Sequence, residues 1–308
     1  MISPSYLKSG DKVGIVSTAK TVSYKEVEEG LEILKSWELD PIIGKNAFNV
    51  YGFFAGTDQE RLEDLQAMLD DTSIKAIIFT RGGYGTVKII DQLDFTNFQK
   101  KPKWLVGYSD ITVLHSHVHN LNIETLHAVM LQGMPKAAPE ALASLKNALF
   151  GTTLTYKIPK NKQNKQGEKT VEGILVGGNL SILYALNGSK SDIDTTDKIL
   201  FFEDIDEYLY HLDRMLIALK RSNKLSNLKA ILVGAMTDIK ESTLEYGKTD
   251  YEIILEEVND FDFPVYFDFP CGHQSDNQAL ILGREIRITP NDNYITVDFK
   301  NQNQLQSS

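Results

Sequence analysis

The segment WLVGYSD at residues 104–110 places a serine where a nucleophile could form. Its apolar start predicts a short buried strand, and Ser109 follows where a helix begins. A sharp strand-to-helix turn pushes a serine hydroxyl out of the sheet, and the next amide, that of Asp110, can stabilise a developing oxyanion. A helix cap is the alternative, because GYSD lacks the second glycine of the G-x-S-x-G motif. The segment by itself leaves both interpretations open.

A glycine-rich turn, RGGYG at residues 81–85, follows another apolar run. Glycines let backbone amides come close to a ligand, so this turn could supply a second oxyanion donor. It is not a phosphate-binding P-loop, because no Lys-Ser or Lys-Thr pair follows its last glycine. A tight turn without function is the alternative.

A serine nucleophile needs a base, and the base needs a group that orients it. His273 follows an apolar strand in a loop, directly after a glycine, and Glu203 follows the apolar run of residues 199–202. Because ligands collect at the carboxyl ends of parallel strands, both side chains are candidates for one site. The chain order Ser, Glu, His is acceptable, since geometry defines a triad. For Glu203, an ordinary first loop residue is the alternative.

The other histidines fit structural roles. His115, His117 and His119 lie on one predicted helix, where only the outer two share a face, and no H-E-x-x-H motif is present. We expect them to be solvated, with a metal site as the alternative. His127 ends an apolar stretch and is expected in the core, and His211 is expected at the surface.

Two hydrophobic periods alternate along the first half of the chain. They predict strands at residues 12–17, 41–44, 76–80 and 104–107. Capping boxes at Ser23 and Thr57 predict the starts of two helices. Strand–helix alternation predicts a mostly parallel sheet with helices on both faces. The polar turns that follow three of these strands are therefore where chemistry is expected.

A polar stretch at residues 151–170 predicts a linker between a first domain, residues 1–150, and a second, residues 171–308. The second half predicts strands at residues 173–178, 198–202, 230–234, 265–267, 281–288 and 294–299. The polar tail at residues 301–308 is expected to fray.

The composition argues against several classes of partner. With 32 basic and 42 acidic residues, the net charge of −10 argues against non-specific binding to nucleic acid or to anionic membranes. The single cysteine, Cys271, forms no intrachain disulfide, fits a reducing compartment and is interpreted as a space-filling residue. No secretion signal and no apolar run long enough to span a bilayer is visible. We expect a cytoplasmic protein without a nucleic-acid or membrane partner.

Seven short motifs follow one another along nearly the whole chain: LKSGDKVG (7–14), RGGYG (81–85), GYSDIT (107–112), GGNLS (177–181), FED (202–204), YHLDRML (210–216) and PCGH (270–273). In type and order they resemble the motifs of the LD-carboxypeptidases, and the chain resembles that family over nearly its whole length. The family includes murein tetrapeptide carboxypeptidases and the microcin C immunity peptidase. One departure is His-Ala-Val at residues 127–129, where relatives often carry His-Gly-Pro, so no role is carried onto His127.

The resemblance implies a serine peptidase that releases a C-terminal D-amino acid from an LD-peptide bond of a murein tetrapeptide, with neither cofactor nor metal. It implies a triad of Ser109, Glu203 and His273, with the amides of Gly83 and Asp110 as oxyanion donors. It also implies a flavodoxin-like N-terminal domain, a smaller α/β C-terminal domain and an active site between them. Family members are commonly homodimers, so a homodimer is expected.

A carboxypeptidase must hold a terminal carboxylate. Arg81 or Arg214 could do so, with an ordinary salt bridge as the alternative for each, and Tyr84 is a further candidate for substrate binding. Three other functions stay open. They are a peptidase that destroys a peptidyl-nucleotide antibiotic, a non-catalytic module that binds a small ligand, and a metal hydrolase built on the histidine helix. The matching Ser, Glu and His count against the binding module.

Overall fold

The computed structural model describes residues 1–300, so the predicted tail and the end of the predicted second domain lie outside the described residues. The strands are β1 (Lys12–Val16), β2 (Asp40–Ile43), β3 (Ile74–Phe79), β4 (Trp104–Gly107), β5 (Thr125–His127), β6 (Thr155–Pro159), β7 (Val171–Asn179), β8 (Lys198–Ile205), β9 (Ala230–Thr237), β10 (Val265–Tyr266), β11 (Leu280–Leu282), β12 (Glu285–Pro290) and β13 (Tyr294–Phe299). The α-helices are α1 (Tyr24–Ser36), α2 (Asp58–Asp70), α3 (Thr96–Lys100), α4 (Thr112–His119), α5 (Pro139–Phe150), α6 (Leu180–Ala185), α7 (Leu209–Arg221) and α8 (Asp250–Glu257).

The first sheet has the order β11-β5-β4-β3-β1-β2. Strands β1 to β5 are parallel, and their order 2-1-3-4-5 is that of the flavodoxin-like fold. The predicted α/β class is therefore confirmed. The capping boxes at Ser23 and Thr57 are both present, so the starts of α1 and α2 were correctly predicted. Each predicted strand of this half agrees with the structure to within two residues.

The second sheet has the order β10-β9-β8-β7-β12-β13-β6. Strands β7 to β10 are parallel, and β12, β13 and β6 are antiparallel. Strand β6 lies inside residues 151–170, so the prediction of a linker there must be corrected. Its side chains alternate, with Tyr156 and Ile158 buried and their neighbours exposed, which lets the strand cover one edge of the core.

The last strands join the two sheets. Residues 281–288, predicted as one strand, form two strands, because the chain turns at Gly283, whose φ of 92° lies in the left-handed region. Strand β11 pairs with β5 in the first sheet, and β12 pairs with β7 in the second. One apolar cluster consequently contains side chains from both sheets. The domain limits drawn from the sequence stay a prediction.

Within residues 1–300, no helix has the length and apolar character needed to cross a membrane.

Candidate active site

The serine of the first sheet lies on a strained turn. Strand β4 ends at Gly107, and Ser109 has a φ of 62°, which costs free energy for a residue with a side chain. A 3-10 turn, Ser109–Ile111, leads directly into α4, and neither has a side-chain cap among the described residues. This geometry favours the nucleophile turn over the helix cap, since strain of this kind is typical of a serine presented above a sheet.

The glycine turn after β3 lies against this serine. A Cβ atom on Gly82 would lie 3.1 Å from both Cβ and Oγ of Ser109, so a larger residue there would require the two turns to shift apart by a few tenths of an ångström. The Thr86 amide donates a hydrogen bond to Oδ2 of Asp110 at 2.9 Å. The side chain of Asp110 therefore fixes the glycine turn relative to the serine turn.

Two backbone amides are available beside Ser109. Gly83, with a φ of 127°, makes no hydrogen bond through its amide within residues 1–300. Asp110 is the second residue of a 3-10 turn, and the first amides of a helix have no partner inside it. Both predicted oxyanion donors thus lie on turns that meet at Ser109.

Glu203 and His273 form a hydrogen-bonded pair on the second sheet. Nδ1 of His273 lies 2.7 Å from Oε2 of Glu203, and the His273 amide donates to the same oxygen at 3.2 Å. Oε1 of Glu203 accepts from Nδ2 of Asn179 at 3.3 Å. Glu203 is not an ordinary first loop residue, the alternative that the sequence left open, because β8 continues to Ile205 through a register shift after Phe202. The carboxylate is fully buried and its orientation is fixed.

The glycine before His273 is required by packing. Gly272 has a φ of 121°, and a Cβ atom there would lie 2.8 Å from Oε2 of Glu203. Any larger residue would push the loop away from the carboxylate. This explains why a glycine directly precedes His273, the histidine that must reach Glu203.

The environment raises the pKa of His273. Burial alone would lower the pKa of the imidazole, but the hydrogen bond and the negative charge of Glu203 outweigh it. The ring of Tyr108 lies 4.8 Å from the imidazole, and burial raises the pKa of the tyrosine to about 12. Tyr108 is therefore neutral near pH 7, and His273 is the group of this pair that can exchange a proton there.

A cavity of about 610 Å³ opens at the carboxyl ends of β3, β4 and β5. Ser109, His273, Arg81 and Gly83 all line it, with α1 and the turn after β5 on the opposite side. The charged and amide side chains of that opposite side are Lys25, Glu26, Glu29, Gln132 and Lys136. The structure thus brings the predicted serine, histidine and one predicted arginine to one cavity, with Glu203 behind the histidine.

Two predicted substrate-binding residues lie elsewhere. Tyr84 is half exposed, and its ring lies 6.1 Å from that of Phe54. Arg214 lies on α7, where its guanidinium is 5.9 Å from the ring of Tyr210. Neither lines the cavity. Both side chains pack on aromatic rings near their own positions, and their roles in substrate binding stay predictions.

The histidine helix does not have the solvated side chains that its sequence suggested. His115 is buried and contacts Oγ1 of Thr125 and the Gly107 carbonyl, because α4 packs directly against the first sheet. Burial lowers the pKa values of His115 and His119 to about 4. His117 instead contacts Oγ of Ser191. Within residues 1–300, no group of three or more His, Cys, Asp or Glu side chains converges as a metal site would require.

Cys271 has a partner that the sequence did not indicate. Its Sγ lies 3.2 Å from Nδ1 of His127, which is buried as predicted for a core residue. Burial raises the pKa of the thiol and lowers that of the imidazole, so both groups are neutral. The two residues lie 144 positions apart in the chain, so no local motif signals their contact. His211, expected at the surface, is half-buried and contacts Glu207.

The fold and site together define a two-sheet α/β peptidase, and the chain belongs to the LD-carboxypeptidase family. The family's N-terminal domain matches residues 13–128 and its C-terminal domain matches residues 172–288. The chain is 36% identical over 284 residues to a probable murein peptide carboxypeptidase of Bacillus subtilis, which covers 91% of this chain and 89% of the relative.

Solved structures share the whole fold. The muramoyltetrapeptide carboxypeptidase from Oxalobacter formigenes superimposes with a TM-score of 0.86 at 25% identity, over 94% of this chain and 99% of the other. The microcin C7 self-immunity protein MccF, solved with aspartyl sulfamoyl adenosine, superimposes with a TM-score of 0.85 at 22% identity, over 97% and 99%. The second likeness shows the fold alone.

Proposed function

We propose that this protein is a serine LD-carboxypeptidase that releases the C-terminal D-amino acid of a murein tetrapeptide. The observation that carries the proposal is that Ser109, on its strained turn, and His273 line the same cavity. The His273 imidazole is in turn hydrogen-bonded to the carboxylate of Glu203. The similarity to a probable murein peptide carboxypeptidase supports the substrate class.

In the first step, Nε2 of His273 takes the proton of the Ser109 hydroxyl while Oγ bonds to the scissile carbonyl carbon. Glu203 accepts from Nδ1–H, which fixes the tautomer and stabilises the imidazolium. The amides of Gly83 and Asp110 stabilise the tetrahedral oxyanion, each by about 3 kcal/mol in comparable sites. The C–N bond then breaks, and the imidazolium gives its proton to the departing amine of the D-amino acid.

In the second step, a water molecule replaces the amino acid. His273 takes one proton from the water as its oxygen bonds to the acyl carbon, and the ester bond to Ser109 then breaks. The proton returns to Oγ, so the free enzyme is restored. The products are a tripeptide with a new carboxylate and one D-amino acid, and atoms and charges balance with water as the only co-reactant.

Arg81 is the proposed anchor for the terminal carboxylate. Its Nε is buried and has no hydrogen-bond partner among the described residues, while one terminal nitrogen donates to the Thr21 carbonyl at 3.4 Å. The guanidinium is therefore largely available to the cavity that it lines. A planar guanidinium matches a carboxylate with two parallel hydrogen bonds, which a point charge cannot do.

A peptidyl-nucleotide antibiotic is the second candidate substrate, and the likeness to the fold of MccF favours it. A nucleobase is commonly held on an exposed aromatic face. Tyr108 is the one Phe, Tyr or Trp residue among those that line this cavity, and its ring packs against the His273 imidazole. The rest of the lining consists mainly of charged, amide and small residues, so a charged peptide fits better.

The proposal includes an oligomeric state and a cellular location. We infer a homodimer in the cytoplasm, where murein peptides would be recycled. The free, buried thiol of Cys271 supports a reducing compartment. Light scattering at several concentrations tests the dimer, and cell fractionation tests the location.

The decisive experiment incubates the purified protein with a murein tetrapeptide that ends in D-alanine and measures free D-alanine. We expect release by the native protein and by Ser36→Ala, a surface serine control, and none above background by Ser109→Ala. Release by all three would contradict the nucleophile but keep the substrate. If the native protein released nothing, the murein substrate would be wrong, and a peptidyl-nucleotide would be tested next.

A further inference from the structure

The proposed nucleophile and its base belong to different sheets, so their relative position depends on contacts between the two sheets. Ser109 follows β4 of the first sheet, while Glu203 lies in β8 of the second. Thr112, the first residue of α4, accepts a hydrogen bond through Oγ1 from the amide of Asn179 at 3.0 Å. Asn179 ends β7, the neighbour of β8. This contact crosses directly from the nucleophile's helix to the sheet that carries the acid.

The same asparagine reaches the proposed acid. Its Nδ2 donates to Oε1 of Glu203 at 3.3 Å and to Oδ1 of Asp204 at 3.0 Å. Its Oδ1 accepts from Oγ of Ser181 at 2.7 Å and from the Ile182 amide at 3.2 Å. Because two donors face the oxygen and two carboxylates face the nitrogen, the amide has one orientation only.

The backbone beside Asn179 is built for close approach. Gly178 has a φ of 147°, and a Cβ atom there would lie 2.5 Å from Oγ1 of Thr112. Both Thr112 and Asn179 are buried. A glycine with this φ lets the end of β7 lie against α4 at hydrogen-bonding distance, which a residue with a side chain would prevent.

We propose that Thr112 and Asn179 form a tie between the two sheets that positions Ser109 relative to the Glu203–His273 pair. The inference rests on the proposed function, because it assumes that these three residues react together. Thr112 and Asn179 are positioning residues, since neither touches the reacting atoms. Displacing a catalytic group by about 1 Å can cost on the order of a hundredfold in rate.

The first test replaces the hydroxyl of Thr112. Thr112→Val keeps the shape but leaves the Asn179 amide without its acceptor, while Thr112→Ser keeps the acceptor. We expect Thr112→Val to lower kcat for D-alanine release by about 10- to 100-fold with KM within about twofold. Thr112→Ser should recover kcat to within about threefold of the native value, since the hydrogen bond remains.

A matched control separates positioning from loss of stability. Thr195 is also buried, and its hydroxyl donates to the Lys224 carbonyl at 2.7 Å, outside the cavity. Thr195→Val should lower the unfolding temperature but leave kcat unchanged at a temperature where the protein is folded. If Thr195→Val and Thr112→Val lowered kcat equally, or if Thr112→Val left kcat unchanged, the tie would be refuted.

A double-mutant cycle tests whether the two residues act as one unit. Asn179→Ala removes the donor to Glu203 but keeps the backbone amide that Thr112 accepts. If Thr112 and Asn179 act through the same chain of contacts, the double variant Thr112→Val/Asn179→Ala should lower kcat little more than the single substitution with the larger effect. Effects on kcat that multiply would show that the residues act independently and would overturn the inference.

A final measurement does not depend on the substrate. The pKa of His273 is followed by NMR in the native protein, Thr112→Val and Thr112→Ser. Weakening the hold on Glu203 should lower the pKa of His273 in Thr112→Val and leave it near the native value in Thr112→Ser. The other ionisable neighbours of the ring, Tyr108, His127 and Asp204, are the same in all three proteins.

This titration separates the two proposals. If the native protein cleaved no tetrapeptide but Thr112→Val still lowered the pKa of His273, the substrate would be wrong and the tie supported. If the native protein cleaved the tetrapeptide but His273 titrated identically in all variants, the tie would be refuted and the function kept.

Discussion

A buried histidine lies beside each of the two sheets, but the two environments shift the pKa of the imidazole in opposite directions. His115, against the first sheet, contacts a threonine hydroxyl and a carbonyl, and burial lowers its pKa to about 4. His273, beside the second sheet, is also mostly buried, but the carboxylate of Glu203 raises its pKa. The difference shows that the partner, and not burial, decides which histidine can exchange protons near neutral pH.

The two sheets also contribute different kinds of chemical group to the proposed site. The first sheet presents the Ser109 hydroxyl, backbone amides and the guanidinium of Arg81, which attack or bind the substrate in the proposed mechanism. The second sheet presents Glu203 and His273, the hydrogen-bonded pair that moves a proton in the proposed mechanism. Changing Arg81 on the first sheet should therefore affect substrate affinity, whereas changes to the pair on the second sheet should affect the chemical step.

The largest expected effect comes from Glu203→Gln, which gives His273 a neutral partner and makes its environment resemble that of His115. We expect kcat to fall by about 10³- to 10⁴-fold, because the imidazolium loses its counter-charge and the tautomer is no longer fixed. The matched control is Glu207→Gln, which alters a Glu–His pair outside the cavity. Equal losses in both variants would contradict the role of Glu203.

The pH profile of the same variants sharpens this comparison. His273 must be neutral to accept a proton, so kcat/KM should fall as the pH drops below its pKa. Since Glu203 raises that pKa, the acid limb of the native protein should lie above the ordinary histidine value of about 6.5. In Glu203→Gln the raising effect of Glu203 is lost while burial and the charge of Asp204 remain, so the acid limb of the residual activity should lie at lower pH than in the native protein.

An intermediate effect is expected from Arg81→Met. Losing charged hydrogen bonds to the terminal carboxylate, worth about 1.5–3 kcal/mol, should raise KM roughly 10- to 100-fold with a much smaller change in kcat. Steady-state kinetics on the tetrapeptide measure this. Arg214→Met is the control, because Arg214 lies over the ring of Tyr210 outside the cavity. A rise in KM for Arg214→Met alone would reverse the assignment.

The smallest effect is expected from His127→Gln. This histidine is buried against Cys271 and lacks a carboxylate partner, so it should serve the fold and not proton transfer. The unfolding free energy should fall by about 1–3 kcal/mol, while kcat stays within about tenfold. Thermal unfolding and D-alanine release measure the two quantities. A loss of kcat as large as that of Glu203→Gln would remove the distinction between the two regions.

Much of the first sheet was predictable because its signals are local. The capping boxes at Ser23 and Thr57 and the apolar strand before Ser109 depend on neighbouring residues, and all are present in the structure. The predictions failed where long-range pairing decided the outcome. Strand β6, inside the predicted linker, joins the second sheet because β13 is available to pair with it.

The sequence by itself determined which residues could react and the α/β class, because residue types and hydrophobic periods are properties of short segments. Only the tertiary structure decided which candidates meet. It placed Ser109 and His273 at one cavity, gave Glu203 to His273, and turned Tyr84 and Arg214 to other surfaces. The physical reason is that a side chain's partners and pKa depend on groups distant in the chain, and packing of the two sheets brings those groups together.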